Sequence, residues 1–191
     1  MWTQFYKVYR SVLSGLTANI YLLTPEFILA GLALAVLAID LFLPDDKKSI
    51  LPILCIAGLV AVALVSMMML PGVNISLYGG LLAIDAFSLF FKIVFLLIAI
   101  FIILSSAQYI KQYLSHQGEF YGLLLFSVLG MNIMVQSREL LTAYIALELL
   151  SFSLYVMVAY SLSNAKSNEA GLKYIIVGAF SSAGLYGIAM A

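Results

Sequence analysis

The sequence predicts an all-α polytopic membrane protein of about six transmembrane helices. Of its 191 residues, 64% are hydrophobic and only 9% are charged, and the mean hydropathy is +1.12. The apolar residues fall into six runs, at 25–43, 50–70, 86–110, 120–136, 140–161 and 170–191. Each is close to the roughly 20 residues that an α-helix needs to cross a bilayer. The runs are continuously apolar, which excludes a membrane β-barrel, because barrel strands alternate lipid-facing and lumen-facing residues.

Residues 1–21 precede the first run and are expected to form an interfacial segment, leaving 22–191 as the membrane domain. Lys7 and Arg10 interrupt this segment, and no compact apolar core precedes a small-residue cleavage site, so it does not read as a signal peptide. Phe5, Val8, Val12, Leu13 and Leu16 suit a short amphipathic helix, with Trp2, Tyr6 and Tyr9 at headgroup level.

The first span has a marked start. Thr24 is a capping residue, Pro25 suits the first helical position and Glu26 complements the positive helix end. Pro44 and the DDKK run close it. Residues 71–85, rich in glycine and turn formers, predict a short amphipathic or extended connection, after which Asp85 caps the third span. The sixth span carries small residues at Gly178 and Ser182 and at Ala179, Ala183 and Gly187, and Gly31 and Ala35 repeat this spacing in the first. Such rows let helix backbones approach closely, so both helices are expected to be buried among others. A chain ending at Ala191, on its last hydrophobic residue, is expected to be a fragment or one part of a split polypeptide.

Nine basic and nine acidic side chains leave no net charge, so a nucleic-acid surface is not supported. Lys47, Lys48, Lys111 and Lys166 lie in the turns after spans one, three and five, against Arg138 alone after spans two and four. By the positive-inside rule the first set faces the cytoplasm or its organellar equivalent, and the N-terminus faces the opposite side; Lys7 and Arg10 oppose that orientation. Cys55, the single cysteine, sits in mid-span and reads as a packing residue. His116 reads as a solvated loop residue.

The chemistry-bearing residues are the charges inside the spans. Glu148 lies nine residues after Glu139, about 13 Å of helix rise and near mid-membrane. An ionisable group at that depth is expensive, so it is either a packing carboxylic acid or a titratable relay group. Lys173 follows Glu169 by four residues and either snorkels or joins a polar path; its depth is too shallow for a direct bridge to Glu148. Lys92 and Asp85, seven apart, share one face of the third span, with snorkelling the bland reading for Lys92. Glu139 and Glu169 stand where helix dipoles favour negative charge, and Asp40 is placed to pair with Lys47 or Lys48. No cysteine cluster, P-loop or dinucleotide fingerprint is present, so no redox centre or ATP hydrolysis is expected of this chain.

With those residues on the page, a family resemblance emerges. ELLTAYIALELLSFSLYVMVAY, followed by SNEAGLKYIIVGAFSSAGLYGIAM, resembles helices five and six of the subunit 2 (N subunit) family of complex I. The spaced signature is Glu148, then Glu169, Ala170, Lys173, Tyr174, Gly178, Ser181, Ser182, Leu185, Tyr186 and Gly187. DAFSLFFK, with Asp85 and Lys92, is similar to the family's third helix. The resemblance implies the N-terminal part of a fourteen-helix antiporter-like subunit in the membrane arm of a proton-pumping NADH:quinone oxidoreductase. It also implies that Glu148 matches a glutamate that transfers protons with a lysine on helix seven. Lys173 matches the helix-six lysine that separates this subunit from its sister antiporters and is, with Glu148, an expected proton-transfer residue; Lys92, Asp85 and Glu169 are auxiliary candidates. Helices seven to fourteen are absent, so the chain alone is not expected to pump.

The implied partners are the other membrane-arm subunits, antiporter-like ones among them, together with membrane lipid and no nucleic acid. No cofactor is expected in this chain; quinone, FMN and iron–sulfur clusters would belong to other subunits. The implied location is an energy-transducing membrane, bacterial inner membrane first, with mitochondrial inner or thylakoid membrane as alternatives. Two other readings stay open: a structural or assembly subunit without its own proton path, and a subunit of a related hydrogenase or cation-antiporter complex.

Overall fold

The computed structural model describes residues 20–69, 74–114, 116–161 and 164–190. The expected interfacial helix, with Trp2, Lys7 and Arg10, therefore lies outside the described residues, as does Ala191. Six long helices run through the described part: α1 (Thr24–Phe42), α2 (Leu51–Met69), α3 (Ala86–Tyr113), α4 (Gln117–Gln136), α5 (Leu140–Val158) and α6 (Ala165–Met190). All six are long and apolar enough to cross a membrane.

The hydropathy runs locate the spans to within a few residues, except that α6 begins five residues before its apolar run. Asn164 sets that start, its side chain accepting from the Lys166 N–H at 3.0 Å. Thr24 does not cap α1 as expected. It lies inside the helix, and its hydroxyl donates backwards to the Tyr21 carbonyl.

Although the helices are apolar all round, each of the first three buries one stripe at three- and four-residue steps. In α1 it is Glu26, Leu29, Ala33, Val36 and Asp40. In α2 it is Leu51, Cys55, Leu59, Val62 and Ser66. In α3 it is Leu89, Lys92, Leu96, Ala99 and Ile103. The stripes converge on α4, the most enclosed helix, to form one core with Tyr121, Leu124, Leu125, Val128 and Leu129. Cys55 is part of that packing. Gly31 and Ala35 face outward in this chain, and nothing lies within 4 Å of where a Gly31 Cβ would stand. The small-residue spacing in α1 therefore does not mark its packed face here; the Leu29–Ala33–Val36 stripe does.

The described part of the connection, 74–85, is a short extended hairpin rather than an amphipathic helix. Strands β1 (Ile75–Leu77) and β2 (Leu82–Ile84) pair antiparallel, Ile75 opposite Ile84. Their turn runs through three consecutive positive φ values, 54° at Tyr78, 73° at Gly79 and 101° at Gly80. Glycine takes that conformation without strain, and two of the three positions supply it. Leu77 and Ile84 pack with Leu22 and Leu89, so the hairpin covers the ends of α1 and α3. It is fastened to the α4–α5 turn, where the Arg138 N–H donates to the Leu81 carbonyl at 2.9 Å.

Candidate functional site

Glu26, Lys92 and Gln136 come from α1, α3 and α4 and meet at the hairpin end of the bundle. The Lys92 ammonium contacts Glu26 Oε1 directly and donates to Gln136 Oε1 at 3.0 Å. Gln136 Nε2 donates to the same Glu26 oxygen at 2.9 Å. The amide thus turns its oxygen to the cation and its nitrogen to the anion, closing a three-membered network. Lys92 is 0% exposed, so it does not snorkel; it lies about 9 Å of helix rise into α3. It occupies a core position of the α3 stripe, and a charge there persists only when paired and hydrogen-bonded.

Asp85 is not part of this network. Its carboxylate accepts from the Ser88 N–H at 2.8 Å while the Ser88 hydroxyl accepts from the Asp85 N–H, a reciprocal cap on α3. Arg138 meets its other oxygen at 3.0 Å. The hydrogen bond from the Ser88 backbone and the nearby Arg138 guanidinium hold the Asp85 carboxyl below the usual carboxylate range.

Glu148 lies in α5, half-buried. Gly130 of α4 positions it: a Cβ there would stand 2.8 Å from the Leu150 nitrogen and 2.9 Å from the Ala146 carbonyl oxygen. The two backbones therefore pass closest at the turn that carries Glu148. Glu148 Oε1 is enclosed and has no hydrogen-bond partner among the described residues. The Tyr144 phenol lies beside the Glu148 carboxyl and near Ser182 of α6, and its ring packs on Tyr186 at 5.2 Å.

Lys173 pairs with Glu169 one turn back on α6 at 2.5 Å, and both side chains are well exposed, 72% and 64%. The structure does not bring Lys173 to Glu148. Glu169 lies within α6 rather than at its first residue, whereas Glu139 does stand at the N-cap of α5, accepting from Thr142 at 3.2 Å. Gly171 and Gly178 of α6 pack on Ala159, the residue that caps α5, and on Tyr155 of α5. The row Ala179, Ala183, Gly187 remains exposed in this chain.

At the opposite end, Asp40 meets Lys48 at 3.5 Å, as one of its two expected partners. Tyr160 donates to the carbonyl of the exposed His116 and lies 3.3 Å from Glu119. Burial and the Glu119 charge push the Tyr160 phenol above its ordinary range. Beside them a cleft of about 390 Å³ opens between α4, α5 and α6, lined by Phe152, Tyr155 and Ile175.

Sequence reasoning placed Glu26 at a helix dipole and gave Gln136 no role. The signal was available in α1, where Glu26 and Asp40 are the two ends of a 3–4–3–4 stripe through Leu29, Ala33 and Val36. It was masked because the other faces of α1 are equally apolar, so periodicity did not identify the buried one.

Six apolar helices that bury ionisable and polar side chains between them define a polytopic membrane protein. Residues 137–191 match the family model described as NADH:quinone oxidoreductase/Mrp antiporter, TM. The chain is 38% identical over 91% of its length to NADH-quinone oxidoreductase subunit N of Trichlorobacter lovleyi, covering 36% of that protein. It is 40% identical over 88% of its length to the subunit of the same name from Desulfitobacterium hafniense, covering 34%. A chain of respiratory complex I from Thermus thermophilus with bound aureothin superposes with a TM-score of 0.66 at 27% identity, over 83% of this chain and 34% of that one. A chain of the membrane-bound sulfane sulfur reductase, an archaeal respiratory membrane complex, shares the fold with the same TM-score at 20% identity, over the same shares of the two chains. The chain is thus a relative of NADH-quinone oxidoreductase subunit N, and it spans about a third of the length of the relatives it matches.

Proposed function

We propose that this chain is the N-terminal part of a proton-translocating membrane-arm subunit of an NADH:quinone oxidoreductase, with Glu148 as its proton-transfer group. The observation that carries this reading is the Glu148 carboxyl, inside the stretch that the family model matches, with Oε1 enclosed and lacking a hydrogen-bond partner among the described residues. A carboxyl that lacks a fixed ion pair in an apolar setting is free to change protonation state when a neighbouring charge moves. Tyr144 and Ser182 are hydroxyl groups on the same side, suited to passing a proton to or from it.

In this reading Lys173 is the second proton-transfer group, on α6, which changes partner when further helices cover its exposed face, with Glu169 as its resting counter-ion. Lys92, held by Glu26, is a fixed charge of the bundle, and Asp85 a surface lock beside it. The partners are the other membrane-arm subunits, antiporter-like ones included, and quinone, FMN and iron–sulfur clusters belong to the rest of the complex. The setting is an energy-transducing membrane, consistent with the bacterial relatives, which puts the bacterial inner membrane first.

The test is Glu148→Gln in the assembled complex. Proton pumping coupled to quinone reduction is expected to fall sharply while assembly stays intact. Normal pumping in a normally assembled variant would overturn the assignment and leave the structural subunit as the better reading.

A further inference from the structure

The Asn132 side chain, on the buried face of α4, is 0% exposed, and neither its Oδ1 nor its Nδ2 has a hydrogen-bond partner among the described residues. Glu26 Oε2 is in the same condition on a residue 6% exposed, because Lys92 and Gln136 both bond to Oε1. An amide and a carboxylate oxygen enclosed among apolar helices cost several kcal/mol each if left without hydrogen bonds. Both side chains are already enclosed within this chain. In this they differ from the half-buried Glu148.

Asn132 precedes Gln136 by four residues on α4, about 6 Å of rise, and Gln136 touches Glu26. Asn132 and Gln136 share one face of α4, one turn apart, so the amide lies on the same buried side of the helix as the network. Internal waters occupy such places in proteins, each bonded to two to four otherwise unsatisfied polar groups.

We propose that Asn132 and Glu26 Oε2 hold a buried water against the Lys92–Glu26–Gln136 network, making this end of the bundle a hydrated polar site. The water gives the second carboxylate oxygen its hydrogen bond. Asn132 is the anchor that fixes the water, a role that an apolar side chain of similar size does not fill. The site is separate from Glu148 and does not depend on the proton-transfer reading.

Two variants of the whole complex test this, read by the temperature at which the solubilised complex containing the chain denatures. Asn132→Leu removes the anchor and strands Glu26 Oε2; Asn132→Ser keeps a hydroxyl and leaves room for a further water. A lower melting temperature for the Leu variant than for the Ser variant is expected, with Ser close to the parent. The reverse order, or equal values, would overturn the proposal, because in a dry core the leucine relieves an unpaired amide and the serine opens a cavity. If neither variant assembles, a map of the parent complex at a resolution that shows internal water decides. Density within hydrogen-bond distance of both Asn132 and Glu26 supports the site; Asn132 turned onto a helix carbonyl, with no such density, overturns it.

Discussion

Lys92 of α3 and Glu26 of α1 form an ion pair sealed from the surroundings, and Gln136 of α4 bonds to both partners. Three helices are thereby tied at one end by a single polar contact set. Its energetics are asymmetric. A buried pair contributes little net stability compared with well-packed apolar residues, but removing one partner leaves an uncompensated charge.

Glu26→Ala is therefore expected to destabilise the subunit by about 3–5 kcal/mol, and Lys92→Met by a similar amount. The double variant Glu26→Leu/Lys92→Met is expected to lose less than Glu26→Ala. Thermal denaturation of the three variants in the assembled complex checks the order; a double variant worse than Glu26→Ala contradicts it.

The approach of α4 and α5 at Gly130 predicts a second effect. Gly130→Ala places a methyl against the backbone of residues 146 and 150, which can give only by separating the helices. A loss of about 1–3 kcal/mol is expected from overpacking. Activity should fall with it, because the turn that moves carries Glu148. Gly31→Ala, where the added carbon meets nothing within 4 Å, gains helix propensity instead, by about 1 kcal/mol. Comparing the two melting temperatures separates packing from propensity.

Acidification should release the hairpin. The Asp85 carboxyl is held below its ordinary range by the Ser88 N–H and by Arg138. Its contribution is therefore fully present above the unfolded carboxylate pKa and is lost as pH falls through the lower folded value. Amide hydrogen exchange at Ile75–Leu77 and Leu82–Ile84 is expected to quicken at acid pH in the parent. Asp85→Asn is expected to show the faster exchange already at neutral pH, with a weaker pH dependence.

Lys173 offers a way to separate function from stability. Its bridge to Glu169 is exposed on both sides, and such pairs contribute about 0–1 kcal/mol. Lys173→Met is expected to leave the melting temperature of the complex unchanged while lowering coupled turnover. A loss of assembly instead would mean that Lys173 is covered by, and paired with, a segment that this chain does not include.

The class of protein and the number and limits of the spans were legible in the sequence, because a bilayer imposes a length and a polarity on every crossing segment. So was the position of Glu148 inside a span, since a carboxyl amid apolar residues stands out in one dimension. Asp85 as a cap and Asp40 as a partner of Lys48 were also readable, being local in sequence. What only the tertiary structure decided is which face of each helix is inside. With apolar residues all round, periodicity carries no such information, so Gly31 and Ala35 looked packed and are open, while Glu26 looked like a dipole complement and is an ion-pair partner. Lys92, read as a candidate for snorkelling, is held by residues from two other helices. That choice depends on contacts between segments far apart in the chain, which composition and spacing do not encode.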